Sequence, residues 1–107
     1  MAAPNPKVWV VNQGGHVYDD AKRFGELKPV TQGRINVFSI DNLVHAVKQK
    51  LIGEAIQEDY ILVSGYSTVN AVVIHFFLKK YKFCKLLIWD ARELTYKALT
   101  LLDFDVS

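Results

Sequence analysis

The sequence predicts an α/β fold: a small Rossmann-like three-layer sandwich on a mostly parallel sheet, closed by a C-terminal antiparallel strand. Three observations predict it. Short apolar runs rich in β-branched and aromatic residues, such as Val8-Trp9-Val10-Val11 and Tyr60-Ile61-Leu62-Val63, end abruptly in polar loops. Segments with helical spacing of apolar residues separate these runs. Right-handed crossovers turn such a strand–helix series into parallel pairs covered on both faces.

Met1 to Pro6 reads as a loose tail and residues 7–107 as a single domain. Lys7 to Val11 is the first strand, apolar enough to be buried on both faces. Tyr18, Ala21 and Phe24 recur three apart and predict a short helix over Tyr18–Phe24, with Gly25 suited to stop it. Leu27 to Thr31 is a second strand whose Pro29 removes a ladder donor and favours an edge position. Gln32-Gly33 turns the chain, and Ile35 and Val37 alternate with Asn36 and Phe38 in an extended segment, either a strand or a strap over the core.

From Asp41 to about Ala55, Leu43, Val44, Val47, Leu51 and Ala55 mark one face of a surface helix that Ser39 or Asp41 can cap. Asp59 to Ser64 is another buried strand, ending in Gly65-Tyr66-Ser67. Ser67 is placed to cap a helix over Thr68–Lys80 that is apolar nearly all round. Lys85 to Trp89 is the next strand, Asp90 to Glu93 a polar connection, and Leu94 to Leu102 a final antiparallel strand.

At 107 residues, 50% apolar and 22% charged, the chain can close one core without metal or disulfide staples. The apolar stretch Val69–Leu78 is about half the ~20 residues of a membrane span, so no membrane association is expected. The N-terminus lacks a basic region followed by an apolar signal core, which argues against secretion. The lone Cys84 agrees, because one thiol makes no internal disulfide. A net charge of +2 falls short of a dedicated nucleic-acid binder. Lys79, Lys80, Lys82 and Lys85, interleaved with Tyr81 and Phe83, could still hold phosphates and stack bases, but such a cluster is more often a helix C-terminus whose lysines complement the macrodipole and keep a loop soluble.

Loops leaving the carboxyl ends of parallel strands gather on one edge, where crevices form at reversals of strand order. Three polar loops should meet there: Asn12, Gln13, Gly14, Gly15 and His16; Ser64, Gly65, Tyr66 and Ser67; and Asp90, Ala91, Arg92 and Glu93. Glycines admit close backbone approach and a helix start attracts anions, so a phosphate or nucleotide could sit among them. The plainer reading is a tight turn at Gly14-Gly15 with hydroxyls that cap.

Known motifs are absent. No G-x-G-x-x-G loop and no acidic residue after the second strand support a dinucleotide, and no Gly-Lys-Ser or Gly-Lys-Thr supports a Walker loop. Gly65-Tyr66-Ser67 fails as a nucleophile elbow because Val69 stands where glycine is required. His16 with Asp19 and Asp20 is the one cluster that could run acid–base chemistry, and His16 and Asp19 are the candidate catalytic pair. No second histidine or cysteine nearby completes a metal site, so no metal and no resident cofactor are expected.

A small domain seldom covers both apolar stripes of a helix such as Thr68–Lys80 with its own chain. A homo-oligomer or protein partner docking on Ala71, Ile74, His75 and Leu78 is therefore expected, unless the Ile35–Ser39 segment or the C-terminal residues cover them.

The blocks Asn12-Gln13-Gly14-Gly15-His16-Val17-Tyr18 with Ala21 and Phe24-Gly25, Val30-Thr31-Gln32-Gly33, Ile35-Asn36-Val37-Phe38 and Asp59-Tyr60-Ile61-Leu62-Val63-Ser64-Gly65 resemble a group of short phage-encoded proteins. The resemblance covers most of the chain and implies viral origin, in the host cytoplasm or the virion, and carries over no catalytic residue. The reading that follows is a non-catalytic phage protein acting by binding or self-association. Its alternatives are a nucleotide or phosphometabolite sensor or small enzyme at the strand-end loops, and a structural component of the virion.

Overall fold

Strands β1 (Lys7–Gln13), β2 (Glu26–Gln32), β3 (Tyr60–Leu62), β4 (Phe83–Asp90) and β5 (Thr95–Leu102) form one sheet in the order β2-β1-β3-β4-β5. All neighbours are parallel except β4 and β5, which are antiparallel from Phe83↔Leu102 to Asp90↔Thr95. Helices α1 (Ile40–Glu54) and α2 (Ser67–Tyr81) and a 3₁₀ helix (Asp19–Phe24) complete the chain. The computed structural model describes residues 5–13, 18–32 and 34–106, with Asn12, Gln13 and Gln32 as backbone.

Alternation along the strands divides the core in two. Trp9, Val11, Val30, Ile61 and Cys84 face Leu43, Val47 and Leu51 of α1 and Val69, Val73 and Phe77 of α2. On the opposite face Val8, Val10, Leu62, Leu87 and Tyr96 enclose Ala21 of the 3₁₀ helix, bordered by Tyr18, Phe24, Leu27 and Tyr60. Coverage is therefore unequal: two helices of 15 residues lie on one face and a six-residue 3₁₀ helix on the other. Fully burying a side chain such as Phe77 or Leu51 supplies about 1.5–3 kcal/mol, so the α1–α2 face carries most of the apolar stabilisation.

Several sequence expectations change in detail. β2 does lie on the edge, with Pro29 opposite Val10. The Tyr18–Phe24 segment is a 3₁₀ turn rather than two α-helical turns. Residues 34–39 form an irregular loop with Ile35 against the main core and Phe38 exposed, so the strap reading holds and the strand reading does not. Ser67 is the first residue of α2, not its cap. The Asn70 N–H donates to the Tyr66 carbonyl at 3.1 Å, which starts the helix one residue earlier and puts Tyr66 at the N-cap. The expected strand Asp59–Ser64 shortens to Tyr60–Leu62: the Asp59 carboxylate binds neighbouring donors before its start, and beyond its end the Ser64 carbonyl accepts from Asn70.

Asp59 is fully buried and fixes the amino-terminal edge of the sheet. Its Oδ1 accepts the Lys7 N–H at 2.8 Å, and its Oδ2 accepts Trp9 Nε1–H at 2.8 Å and the Ile56 N–H at 3.0 Å. The Lys7 ammonium lies 3.4 Å away. Nearby, the Tyr81 hydroxyl donates to the Ala55 carbonyl at 2.9 Å and ties the end of α2 to the end of α1.

The 3₁₀ helix is fastened to β5 by two charged residues. Asp20 Oδ2 accepts the Tyr96 N–H at 2.6 Å and the Thr95 hydroxyl at 2.7 Å. Arg23 donates to the Tyr96 carbonyl and to Thr95 Oγ1, and its guanidinium lies 4.1 Å from the centre of the Phe24 ring. Gly25 follows in extended conformation where β1 begins, and a Cβ there would meet the carbonyl of Pro6.

Candidate functional site

Among the described residues, two places on this frame stand out as able to receive another molecule. The first is the edge at the carboxyl ends of β1, β3 and β4. These strands are parallel, and the chain leaves β1 for β2 on one side and later enters β3 on the other, so strand order reverses between β1 and β3. Asn12 and Gln13 end β1, paired with Thr31 and Gln32. Ser64 to Ser67 leave β3, and Asp90 ends β4 with Ala91, Arg92 and Glu93 in the following turn. The three corners thus share one sheet edge. Gly14, Gly15 and His16 lie outside the described residues.

The side chains at this edge have mostly internal tasks. Gly65 has a φ of 58°, in the left-handed region that glycine tolerates, and Tyr66 and Ser67 are exposed. The Ser64 carbonyl accepts from Asn70 Nδ2 at 2.9 Å, which folds the loop back onto α2. Asp90 closes the β4–β5 turn: Oδ1 accepts the N–H groups of Arg92 and Glu93, and Oδ2 lies 2.7 Å from the Lys97 ammonium. The Lys97 contact, then those N–H groups, hold the Asp90 carboxyl below its ordinary range. Arg92 is exposed.

Asp19 is exposed and lies 3.1 Å from the Lys22 ammonium, whereas its neighbour Asp20 holds β5. The Tyr96 N–H, helped by the Thr95 hydroxyl and Arg23, keeps the Asp20 carboxyl below the usual value against the opposing effect of burial. Among the described residues no group of three or more His, Cys, Asp or Glu comes together to hold a metal. Asn70 and Asp59 escaped the sequence reading as organising residues. Asn70 Oδ1 is buried and has no hydrogen-bond partner among the described residues, and its one sequence signal is an amide at the head of an otherwise apolar helix.

The second place is a groove of about 680 Å³ between α1 and α2. Val44, Val47, Val72 and Phe76 form its floor, and Lys48, Lys79 and Lys80 stand along its rim. Lys80 also lies 5.7 Å from the centre of the Phe76 ring. Among the described residues no carboxylate pairs with any of these three lysines. The residues expected to form an interface divide: Ala71 and His75 are exposed and line the groove, while Ile74 and Leu78 are half-buried and packed against the main core.

The basic cluster divides as well. Lys79 and Lys80 belong to the groove, whereas the Lys85 ammonium sits 4.5 Å from the centre of the Tyr60 ring, and Tyr60 borders the core on the opposite face. Lys85 thus lies apart from Lys79 and Lys80, while Lys80 also lies 5.6 Å from the centre of the Tyr81 ring. Among the described residues, no helix is long and apolar enough to cross a membrane.

No curated protein and no solved structure matches the chain. Residues 6–102 do match a family described as Phage Pam3 gp32-like protein, a span that includes every strand and helix above. The chain belongs to the phage Pam3 gp32-like protein family.

Proposed function

We propose that this phage protein is a non-catalytic binding module, a small Rossmann-like sandwich thinned on its 3₁₀ side, that receives an acidic amphipathic segment of a partner protein in the α1–α2 groove. The observation that carries this reading is the pairing of an apolar floor with three lysines that have no carboxylate partner among the described residues. An amphipathic helix with leucines at i, i+3/i+4 and i+7 would fill such a floor, and flanking glutamates would meet Lys48, Lys79 and Lys80. The volume is in the range of pre-formed ligand sites, roughly 300–1,000 Å³. The host cytoplasm or the virion is the place of action on this reading, and no cofactor is required.

A second reading puts a phosphate or nucleotide at the strand-end loops, supported by the reversal of strand order and the buried Asn70 oxygen without a partner among the described residues beside them. Titrating ¹⁵N-labelled protein with a Leu/Glu amphipathic peptide separates the two. Amide shifts centred on Val44, Ala71, Val72 and His75, weakened by salt and reduced at least tenfold in affinity by Lys48→Glu with Lys79→Glu, support the groove. Equal binding of an unpatterned polyglutamate, or shifts confined to the strand-end edge, would defeat it.

A further inference from the structure

The free margin of β5 has a backbone and charge pattern that matches its own two-fold copy. The Asp103 N–H donates to the Lys82 carbonyl at 3.0 Å, so by alternation Leu101, Leu99 and Lys97 direct their backbone groups toward β4. Tyr96, Ala98, Thr100 and Leu102 then direct theirs outward. Tyr96 bears this out, because its N–H and carbonyl are taken by Asp20 and Arg23. What is left open among the described residues is the stretch Ala98–Leu102, which has no charge and no proline and follows the clamp directly. The other margin of the sheet, β2, carries Lys28 and Pro29.

We infer that two copies of this chain associate by antiparallel pairing of β5 with β5, Thr100 meeting Thr100, to form a continuous ten-stranded sheet. In this register Ala98 pairs with Leu102 of the second copy, and all three outward residues exchange both hydrogen bonds. Leu99, 55% exposed in one copy, meets Leu101 of the other, and Leu102, 63% exposed, meets Ala98. Lys97, whose ammonium also meets Asp90 of its own chain, lies directly across from Asp103 of the second copy at both ends of the pairing and can be shared between the two carboxylates, so charge complementarity favours this register. Shifting it to pair Leu99 with Leu99 sets Leu102 against the occupied Tyr96 and Lys97 against Leu101. The contact is smaller than the ~800 Å² per partner of a standard interface, so association is concentration-dependent. It uses a different surface from the α1–α2 groove and stands or falls independently of it.

Sedimentation equilibrium of the full chain over a wide concentration range tests the inference. The weight-average mass should rise from 12.2 kDa toward twice that value. Thr100→Pro removes an outward N–H that β4 does not use, and should weaken association at least tenfold with an unchanged circular dichroism spectrum. Asp103→Lys, which sets two lysines opposite each other, should do the same in low salt, and Asp103→Glu should restore pairing. A wild-type chain that stays at 12.2 kDa at the highest concentration overturns the proposal, as does a dimer indifferent to Asp103→Lys.

Discussion

Trp9 and Asp59, fifty positions apart, meet in the core through an indole N–H to carboxylate bond of 2.8 Å, with both side chains fully buried. Because the same carboxylate also receives the Lys7 and Ile56 amides, one side chain holds the start of β1, the α1–β3 connection and the largest core aromatic in register. Asp59→Asn turns an amide N–H toward donors that already point inward, and should cost about 2–4 kcal/mol. Urea denaturation followed by tryptophan fluorescence measures it. Trp9→Phe, which leaves the carboxylate its other donors, should cost less through this contact.

Acid should loosen the β5 side of the molecule before the α1–α2 side. The folded-state carboxyls of Asp20 and Asp90 are both lowered, by the Tyr96 N–H and by Lys97 respectively. Groups with depressed values stabilise the fold above the unfolded carboxylate range, and that stabilisation is lost as pH falls from about 4 through the lower folded value. Denaturation midpoints measured from about pH 6 to pH 2 should fall along this limb. Asp20→Asn should lower the midpoint near neutrality and flatten the limb; an undiminished slope in Asp20→Asn with Asp90→Asn would remove these two residues from the explanation.

Gly25 sits where the chain leaving the 3₁₀ helix passes the entry to β1, and a methyl group there collides with the Pro6 carbonyl. The obstruction is backbone, not a movable side chain. Gly25→Ala should therefore cost about 1–3 kcal/mol, read as a lower thermal midpoint, while Gly53→Ala, which meets nothing within 4 Å, should be neutral or mildly stabilising.

The amino-acid sequence carries most of the sheet on its surface because the β1, β3 and β4 runs are apolar on both faces and only a central strand needs that. Pro29 placed β2 at a margin for a direct reason, the missing amide hydrogen. Asp59 was hidden because a carboxylate just before an apolar run looks like a solvated strand start, and its donors come from residues distant in the chain. The division of Ala71 and His75 from Ile74 and Leu78 was equally invisible, since an all-round apolar helix gives no phase by which to tell groove from core. The clamp of Asp20 and Arg23 on Tyr96 depends on a 3₁₀ turn meeting a strand more than seventy residues later.

That clamp also governs how the protein should be stored. While Asp20 is ionised it blocks Tyr96, so a foreign strand laid along this margin must stop there. Once Asp20 takes up a proton in strong acid, its hold on the Tyr96 N–H weakens and that donor joins those of Ala98, Thr100 and Leu102, while Arg23 still occupies the Tyr96 carbonyl. Fibril formation on standing should accordingly set in at low pH, and seeds made there should fail to elongate near neutrality.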